Sequence, residues 1–287
     1  MGSYILDFLE NNNYEVLKVG RSIKSDINLD LSINRLPKVD VDYVIHVAGK
    51  AHLIPRTEEE NNEFFKVNHN GTNNLLYGLN TIKLKSIIFI STVAVYGKDV
   101  GELIDEESPL QGKSPYALSK IHAERSIINF GIANNIKTVV LRLPLVTGKN
   151  PLGNLRGIIN SIKNGYYFRI GKGQAKKSII AASDIANLIP ELFDLDGVYN
   201  LTDINHPKIS QIDSIIAKKF NKKVKVIPIS IVRVISKIGD VFSFFPLNSS
   251  KFEKLTKNLT FSNKKLFNQI KYRPSKGLSD IVKNLNN

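Results

Sequence analysis

The 287-residue sequence predicts an α/β fold in which helices cover both faces of a doubly wound parallel sheet. Short apolar runs alternate with longer segments whose apolar residues recur at three- and four-residue spacing, which is typical of alternating strands and helices. The run of residues 87–90 is continuously hydrophobic, as expected for a strand buried on both faces. The predicted strands are 15–19, 43–48, 86–91, 138–143 and 198–201, and the main predicted helices are 59–80 and 116–134.

The beginning of the sequence departs from the usual order of such a fold. Residues 4–11 predict a helix, and the first predicted strand comes only after it. A doubly wound nucleotide-binding sheet normally opens with a strand and a glycine-rich turn, which places a phosphate on the first helix. We therefore expect the first strand and most of this turn to be missing, which would leave a gap or an exposed edge in the sheet.

The composition restricts the partners and the location. Lysine and arginine exceed aspartate and glutamate by 40 to 26, but the basic residues are scattered, which favours an anionic small substrate and no nucleic acid. The chain has no cysteine and no visible signal segment, which suits the cytoplasm. The most apolar stretch, 227–247, is interrupted by Arg233, Lys237 and Asp240, so it predicts an amphipathic helix and no membrane span. We expect no metal site.

The strongest candidate for chemistry is the pair Tyr116 and Lys120. Four residues apart on a helix, the two side chains share a face. An ammonium beside the phenol would lower the tyrosine pKa from about 10 and make it usable as an acid or base. Thr92 follows a buried strand, where its hydroxyl can hydrogen-bond a substrate alcohol or carbonyl. The alternatives are a surface tyrosine beside a solvated lysine, and a threonine that caps a turn.

Four motifs carry a family resemblance. They are residues 67–75 (VNHNGTNNL), 89–97 (FISTVAVYG), 115–120 (PYALSK) and 141–148 (LRLPLVTG). In their order and spacing they resemble the extended short-chain dehydrogenase/reductases of the NAD-dependent epimerase/dehydratase group, and the resemblance covers nearly the whole chain. It implies a Rossmann-like sheet, here without its first strand, and a smaller C-terminal substrate lobe.

The resemblance implies roles for individual residues. Tyr116 would be the catalytic acid/base, Lys120 would support it and contact the nicotinamide ribose, and Thr92 would orient the sugar hydroxyl. The residues expected to approach NAD or NADP are Gly2, Arg21, Asp30, Leu31, Val47, Ala48, Gly49, Asn68, Ser91, Tyr116, Lys120 and Pro144. Arg21 stands where NAD-preferring members often carry an acidic residue. It could meet the 2′-phosphate of NADP or be an ordinary surface arginine, and the choice stays open.

Two further residues resemble those with which the family binds the nucleoside diphosphate of its substrate. Asn154 matches an asparagine near the substrate phosphates. Lys177, seven residues before Asp184, stands where the family usually has an arginine; lysine keeps the charge but loses the bidentate fork. A solvated lysine in the pair Lys176-Lys177 is the alternative reading.

The predicted organisation follows from the same resemblance. Residues 1–147, with 178–202 returning to them, would form the NAD(P)-binding core, and residues 148–177 and 203–287 the substrate lobe. The implied function is a 4-epimerase or 4-keto-sugar reductase acting on a UDP-hexose or UDP-N-acetylhexosamine, as a homodimer through the helix that bears Tyr116 and the helix before it. Residues 93–94 are Val-Ala where dehydratases have an acidic pair, which disfavours dehydration. The alternative is a truncated, non-catalytic relative or a binding partner of a complete paralogue.

Overall fold

A computed structural model describes residues 1–51, 53–151, 153–242 and 247–285 and confirms the α/β fold. In chain order the elements are α1 (Gly2–Asn11), β1 (Val19–Gly20), β2 (Ile27–Asn28), β3 (Tyr43–His46), α2 (Glu58–Phe64), a π-helical turn (Phe65–Asn70), α3 (Gly71–Tyr77), β4 (Ser86–Thr92), a 3-10 turn (Val93–Tyr96), β5 (Gly101–Ile104), α4 (Pro115–Asn134), β6 (Lys137–Leu143), β7 (Leu145–Thr147), α5 (Gly153–Lys163), β8 (Phe168–Ile170), β9 (Ile179–Ala181), α6 (Ala182–Leu192), β10 (Gly197–Asn200), α7 (Ile209–Lys219), β11 (Lys225–Ile227), α8 (Ile229–Val241), α9 (Ser249–Thr256), β12 (Leu259–Phe261), α10 (Lys264–Phe267) and α11 (Gly277–Lys283).

The central sheet has four parallel strands in the order β10-β6-β4-β3. Residues 87–90 of β4 are at most 5% exposed, because helices cover both faces of the sheet. On one face, α1 and α6 pack together over a core that includes Leu141 and Ile189. On the other face, α3 and α4 cover a core that includes Phe89 and Ile127. This arrangement leaves the carboxyl ends of β4 and β6 free to position functional side chains.

The sheet is divided where the first strand was expected to be missing. In the described part of the chain, β1 pairs with β2 alone and β3 pairs with β4 alone. The prediction of a strand over 15–19 is wrong at its start, since β1 begins at Val19. Regular pairing with β2 starts only at Val19, and before it the Lys18 carbonyl accepts a single hydrogen bond from the Ile27 amide at 3.0 Å. The β1–β2 pair and the four-stranded sheet thus each have an unpaired edge among the described strands.

The remaining strands form parallel pairs outside the central sheet. They are β7 with β9, β8 with β11 and β5 with β12. A separate core joins α5, α7 and α11 through Leu155, Ile216 and Ile281, whereas β10 returns to the central sheet beside β6. The division into two lobes agrees with this layout and stays a prediction. No helix among the described residues is long and apolar enough to cross a membrane.

Candidate active site

Thr92 and Tyr116 meet at the carboxyl edge of the sheet. Thr92 is the last residue of β4. Ser114 caps α4 by accepting a hydrogen bond from the Ala117 amide at 3.1 Å, and Pro115 occupies the first helical position, so Tyr116 lies in the first turn. The Tyr116 phenol forms a hydrogen bond with the Thr92 side chain. The Thr92 hydroxyl also accepts from the Ala94 amide at 3.2 Å, so it caps the following turn as well.

The environment of Tyr116 shifts its pKa. Burial raises this pKa above its ordinary value of 10, and the hydrogen bond with Thr92 opposes the rise only in part. In this structure the Lys120 Nζ donates to the Ile90 carbonyl at 2.6 Å, and the lowering of the Tyr116 pKa by Lys120 stays a prediction. As the structure stands, Tyr116 is a neutral phenol at pH 7 and a proton donor.

Lys120 is a buried amine with an unusual environment. Its side chain is 4% exposed, and its Nζ lies 3.9 Å from the centre of the Phe89 ring. Desolvation lowers its pKa from 10.5 to about 7, although the nearby Glu124 carboxylate opposes this shift. Lys120 can therefore gain or lose its charge near neutral pH.

Asn68 connects the loop after β3 to the helix that carries Tyr116. It lies in the π-helical turn and is 1% exposed. Its Oδ1 accepts from the Lys50 amide at 2.6 Å, while its Nδ2 donates to the Lys50 carbonyl at 3.0 Å and to the Ser119 hydroxyl at 2.9 Å. A Cβ on Gly49 would lie 3.1 Å from the Asn68 Oδ1 and 3.9 Å from the Lys120 Nζ. The predicted cofactor residues Gly49, Asn68 and Lys120 are thus brought together.

The start of α1 lies beside the end of β3. Gly2 is the first residue of this helix, and a Cβ there would lie 4.0 Å from the Val47 side chain. Val47, Ala48 and Gly49 follow β3 directly. A helix N-terminus at the carboxyl edge of a parallel sheet favours an anion, so this position suits a pyrophosphate.

The residues predicted to approach the adenosine end form a second group. The Arg21 Nη1 lies 3.9 Å from the Asp30 Oδ2, with most of the arginine side chain exposed. Hydrogen bonds from the Ser32 side chain and amide lower the pKa of Asp30. The Leu31 carbonyl accepts from the Asn74 Nδ2 at 2.8 Å, which ties this loop to α3. Arg21 and Asp30 therefore stand together, and the choice between a 2′-phosphate contact and an ordinary surface arginine stays open.

The sequence analysis missed a buried polar network behind the site. The Glu124 carboxylate accepts from the Ser91 hydroxyl and from the Arg142 Nη2, the latter at 2.8 Å. The Arg142 Nη1 donates to the Tyr96 hydroxyl at 3.1 Å, which in turn donates to the Asn200 Oδ1 at 2.8 Å. This network fixes α4 against β4 and β6. A signal was available, since Glu124 stands four residues after Lys120 on the buried face of a helix.

The remaining predicted residues are Pro144, Asn154 and Lys177. Pro144 is half-buried between β6 and β7, and Asn154 is exposed in the first turn of α5. The Lys177 Nζ donates to the carbonyls of Lys254 and Lys257 at the end of α9, at 2.9 and 3.0 Å. Desolvation lowers the pKa of Lys177. Lys177 is thus a bonded lysine rather than a freely solvated one.

The fold and the site together define the class. A parallel sheet with Thr92, Tyr116 and Lys120 near its carboxyl edge is the arrangement of an extended short-chain dehydrogenase/reductase. The model of the NAD dependent epimerase/dehydratase family matches residues 1–201, and the chain belongs to this family.

Similar proteins agree with this assignment. A putative UDP-glucose 4-epimerase of Methanocaldococcus jannaschii is 30% identical over 212 residues, covering 65% of this chain and 68% of that protein. The N-acetyl-alpha-D-glucosaminyl-diphospho-ditrans,octacis-undecaprenol 4-epimerase of Escherichia coli is 29% identical over 168 residues, 56% of this chain and 50% of that protein. The UDP-Glc/GlcNAc 4-epimerase structure from Campylobacter jejuni has a TM-score of 0.74 at 18% identity, covering 99% of this chain and 94% of that one. The structural likeness shows the fold.

Proposed function

We propose that this chain acts at C4 of a UDP-hexose or UDP-N-acetylhexosamine with NAD or NADP, as an epimerase or a 4-keto-sugar reductase. The observation that carries the proposal is that Thr92 at the end of β4, Tyr116 in the first turn of α4 and the buried Lys120 one helical turn further on lie together at the carboxyl edge of the sheet. Relatives described as UDP-glucose 4-epimerases support the substrate class. The cytoplasm, which supplies nucleotide sugars and NAD(P), remains our proposed location.

Each residue of the centre has a role in this proposal. Thr92 would hold the C4 oxygen beside Tyr116 through its hydroxyl. Tyr116 would exchange one proton with that oxygen, as acid in the reductive direction and as phenolate in the oxidative direction. The nicotinamide, when bound, supplies or accepts the hydride. A Lys120 that becomes charged on release from the Ile90 carbonyl would stabilise the phenolate.

The residues present fit the cofactor at several points. Gly49 leaves a backbone surface without a side chain next to Lys120, where a ribose could approach. The first turn of α1 offers amide groups toward a pyrophosphate. Arg21 and Asp30 can meet the adenosine ribose, Arg21 with a 2′-phosphate and Asp30 with a 2′-hydroxyl. We assign these residues to cofactor binding, with Val47, Ala48, Asn68, Ser91 and Pro144 lining the approach.

The substrate's diphosphate would lie on the C-terminal lobe. Asn154 is exposed and available as a donor, and Lys177 lies beside the end of α9. We also propose that the chain forms a homodimer through α4 and residues 58–77.

The test is turnover of purified protein with UDP-glucose and UDP-N-acetylglucosamine, followed by separation of the C4 epimers. A second assay follows NAD(P)H oxidation with a UDP-4-keto-sugar. Tyr116→Phe should lower turnover by about a hundredfold or more, because it removes the exchangeable proton. Tyr166→Phe, which changes an exposed tyrosine between α5 and β8, is the matched control and should keep full activity. Equal turnover by both variants would remove Tyr116 from the mechanism.

The divided sheet favours a second candidate, a non-catalytic relative that pairs with a complete paralogue. The edges of β1 and β3 are unpaired in the described chain, and a strand there would normally lead into the pyrophosphate turn. Calorimetric titration with NAD and NADP separates the candidates. Micromolar binding supports the enzyme, whereas no binding by folded protein supports the non-catalytic relative.

A further inference from the structure

Helix α8 carries an apolar stripe on its outward face. Ile231, Val234, Ile238 and Val241 follow one another at three- and four-residue spacing, so they lie along one side of the helix. Their side chains are 43 to 76% exposed. Single exposed apolar residues are ordinary, but four in a row on one helix face form a surface that water solvates poorly.

The opposite face of α8 fixes how the helix sits. Val232, Ser236 and Gly239 are buried. A Cβ on Gly239 would overlap the Leu247 carbonyl oxygen, which shows how closely the backbone approaches on that side. The small residues therefore occupy the packed face, and the apolar stripe lies on the outward face of α8.

The stretch of sequence around α8 is basic. Lys237 is exposed beside Ile238, so its ammonium flanks the apolar side chains. Residues 222–257 contain eight lysines and arginines but only two acidic residues. Both acids are engaged: the Asp240 carboxylate accepts from the Ser249 amide and hydroxyl, and Glu253 pairs with Lys257. An apolar stripe edged by positive charge matches the chemistry of an anionic lipid surface.

We propose that α8 docks this protein on the surface of an anionic membrane. The apolar stripe enters the boundary between headgroups and acyl chains, and Lys237 reaches the phosphate layer. Helix α8 packs against α9, whose last carbonyls accept hydrogen bonds from Lys177, so the docking helix is part of the predicted substrate lobe. Docking would thus hold that lobe at the membrane, and it is independent of the reaction that the active site performs.

Sedimentation with lipid vesicles tests the proposal on the full chain. We expect binding to vesicles of equal phosphatidylglycerol and phosphatidylcholine, and little binding to phosphatidylcholine alone. The double variant Val234→Ser/Val241→Ser should bind about tenfold more weakly. The matched control is Ile23→Ser/Ile82→Ser, which removes two still more exposed apolar side chains elsewhere and should bind like the unchanged protein. Circular dichroism verifies that both variants are folded.

A fluorescent label locates the contact. Because the chain contains no cysteine, Val241→Cys and Ile82→Cys can each be labelled at one site with an environment-sensitive dye. Anionic vesicles should shift the emission of the label at position 241 to the blue and leave that at position 82 unchanged. Absence of binding to anionic vesicles, equal binding by both serine variants, or a stripe covered by a second copy or a protein partner would each overturn the proposal.

Discussion

Replacing Lys120 with methionine tests the environment of the buried amine. With a pKa of 10.5 in the unfolded chain and about 7 in the folded protein, the unfolded chain holds a proton above pH 7 that the folded protein has released. Folding stability should therefore rise with pH across this window. The slope approaches about 1.4 kcal/mol per pH unit well above pH 7 and integrates to about 2 kcal/mol between pH 7 and pH 9. Lys120→Met removes this dependence.

The assay is urea unfolding followed by circular dichroism, without cofactor, at pH 7, 8 and 9. The unchanged protein should gain about 2 kcal/mol relative to Lys120→Met over this range, because contributions from all other groups cancel in the difference. Lys113→Met replaces an exposed lysine just before α4. Its free energy of unfolding should change with pH by the same amount as that of the unchanged protein. If the free energy of unfolding of Lys120→Met also follows that of the unchanged protein with pH, the amine keeps its proton in the folded state and the reasoning fails.

Three further outcomes are expected. Glu124→Ala should lower the free energy of unfolding by about 3–5 kcal/mol in urea titrations, because it leaves Arg142 charged, buried and without its carboxylate; Glu124→Gln, which keeps the size but removes the same charge, should cost most of this amount, and a loss near zero for Glu124→Gln would contradict the charge argument. Arg21→Ala should weaken NADP binding about tenfold in calorimetry and leave NAD binding unchanged, since only NADP offers a phosphate to the guanidinium; equal weakening would place Arg21 elsewhere. Light scattering should give twice the chain mass of 32.1 kDa, whereas a concentration-independent monomer would exclude the dimer through α4.

The parts of the fold that the sequence predicts well are those specified by local signals. The apolar run of β4 and the Ser114-Pro115 start of α4 place both elements within one residue of their observed bounds. The same two elements carry Thr92 and Tyr116, so the relative position of these two side chains follows from correct element boundaries.

Features that depend on distant contacts were not predictable. The helical pattern over 59–80 gives no sign of the π-helical turn, which places Asn68 against partners 18 and 51 residues away in sequence. Likewise, the four-residue spacing of Tyr116 and Lys120 does not show which acceptor the Lys120 amine hydrogen-bonds. That choice depends on the Ile90 carbonyl and on the burial of both side chains, which only the assembled core provides.

The one-sided pairing of β3 has a consequence for its amide protons. Along a strand of a parallel sheet, successive N–H groups point alternately to the two neighbours. In β3 only the side toward β4 finds acceptors among the described strands. Amides of Tyr43–His46 should therefore exchange with deuterium in a two-residue rhythm, with slow and fast sites alternating. Loss of this alternation in exchange rates would show that another strand pairs with β3 on its open side.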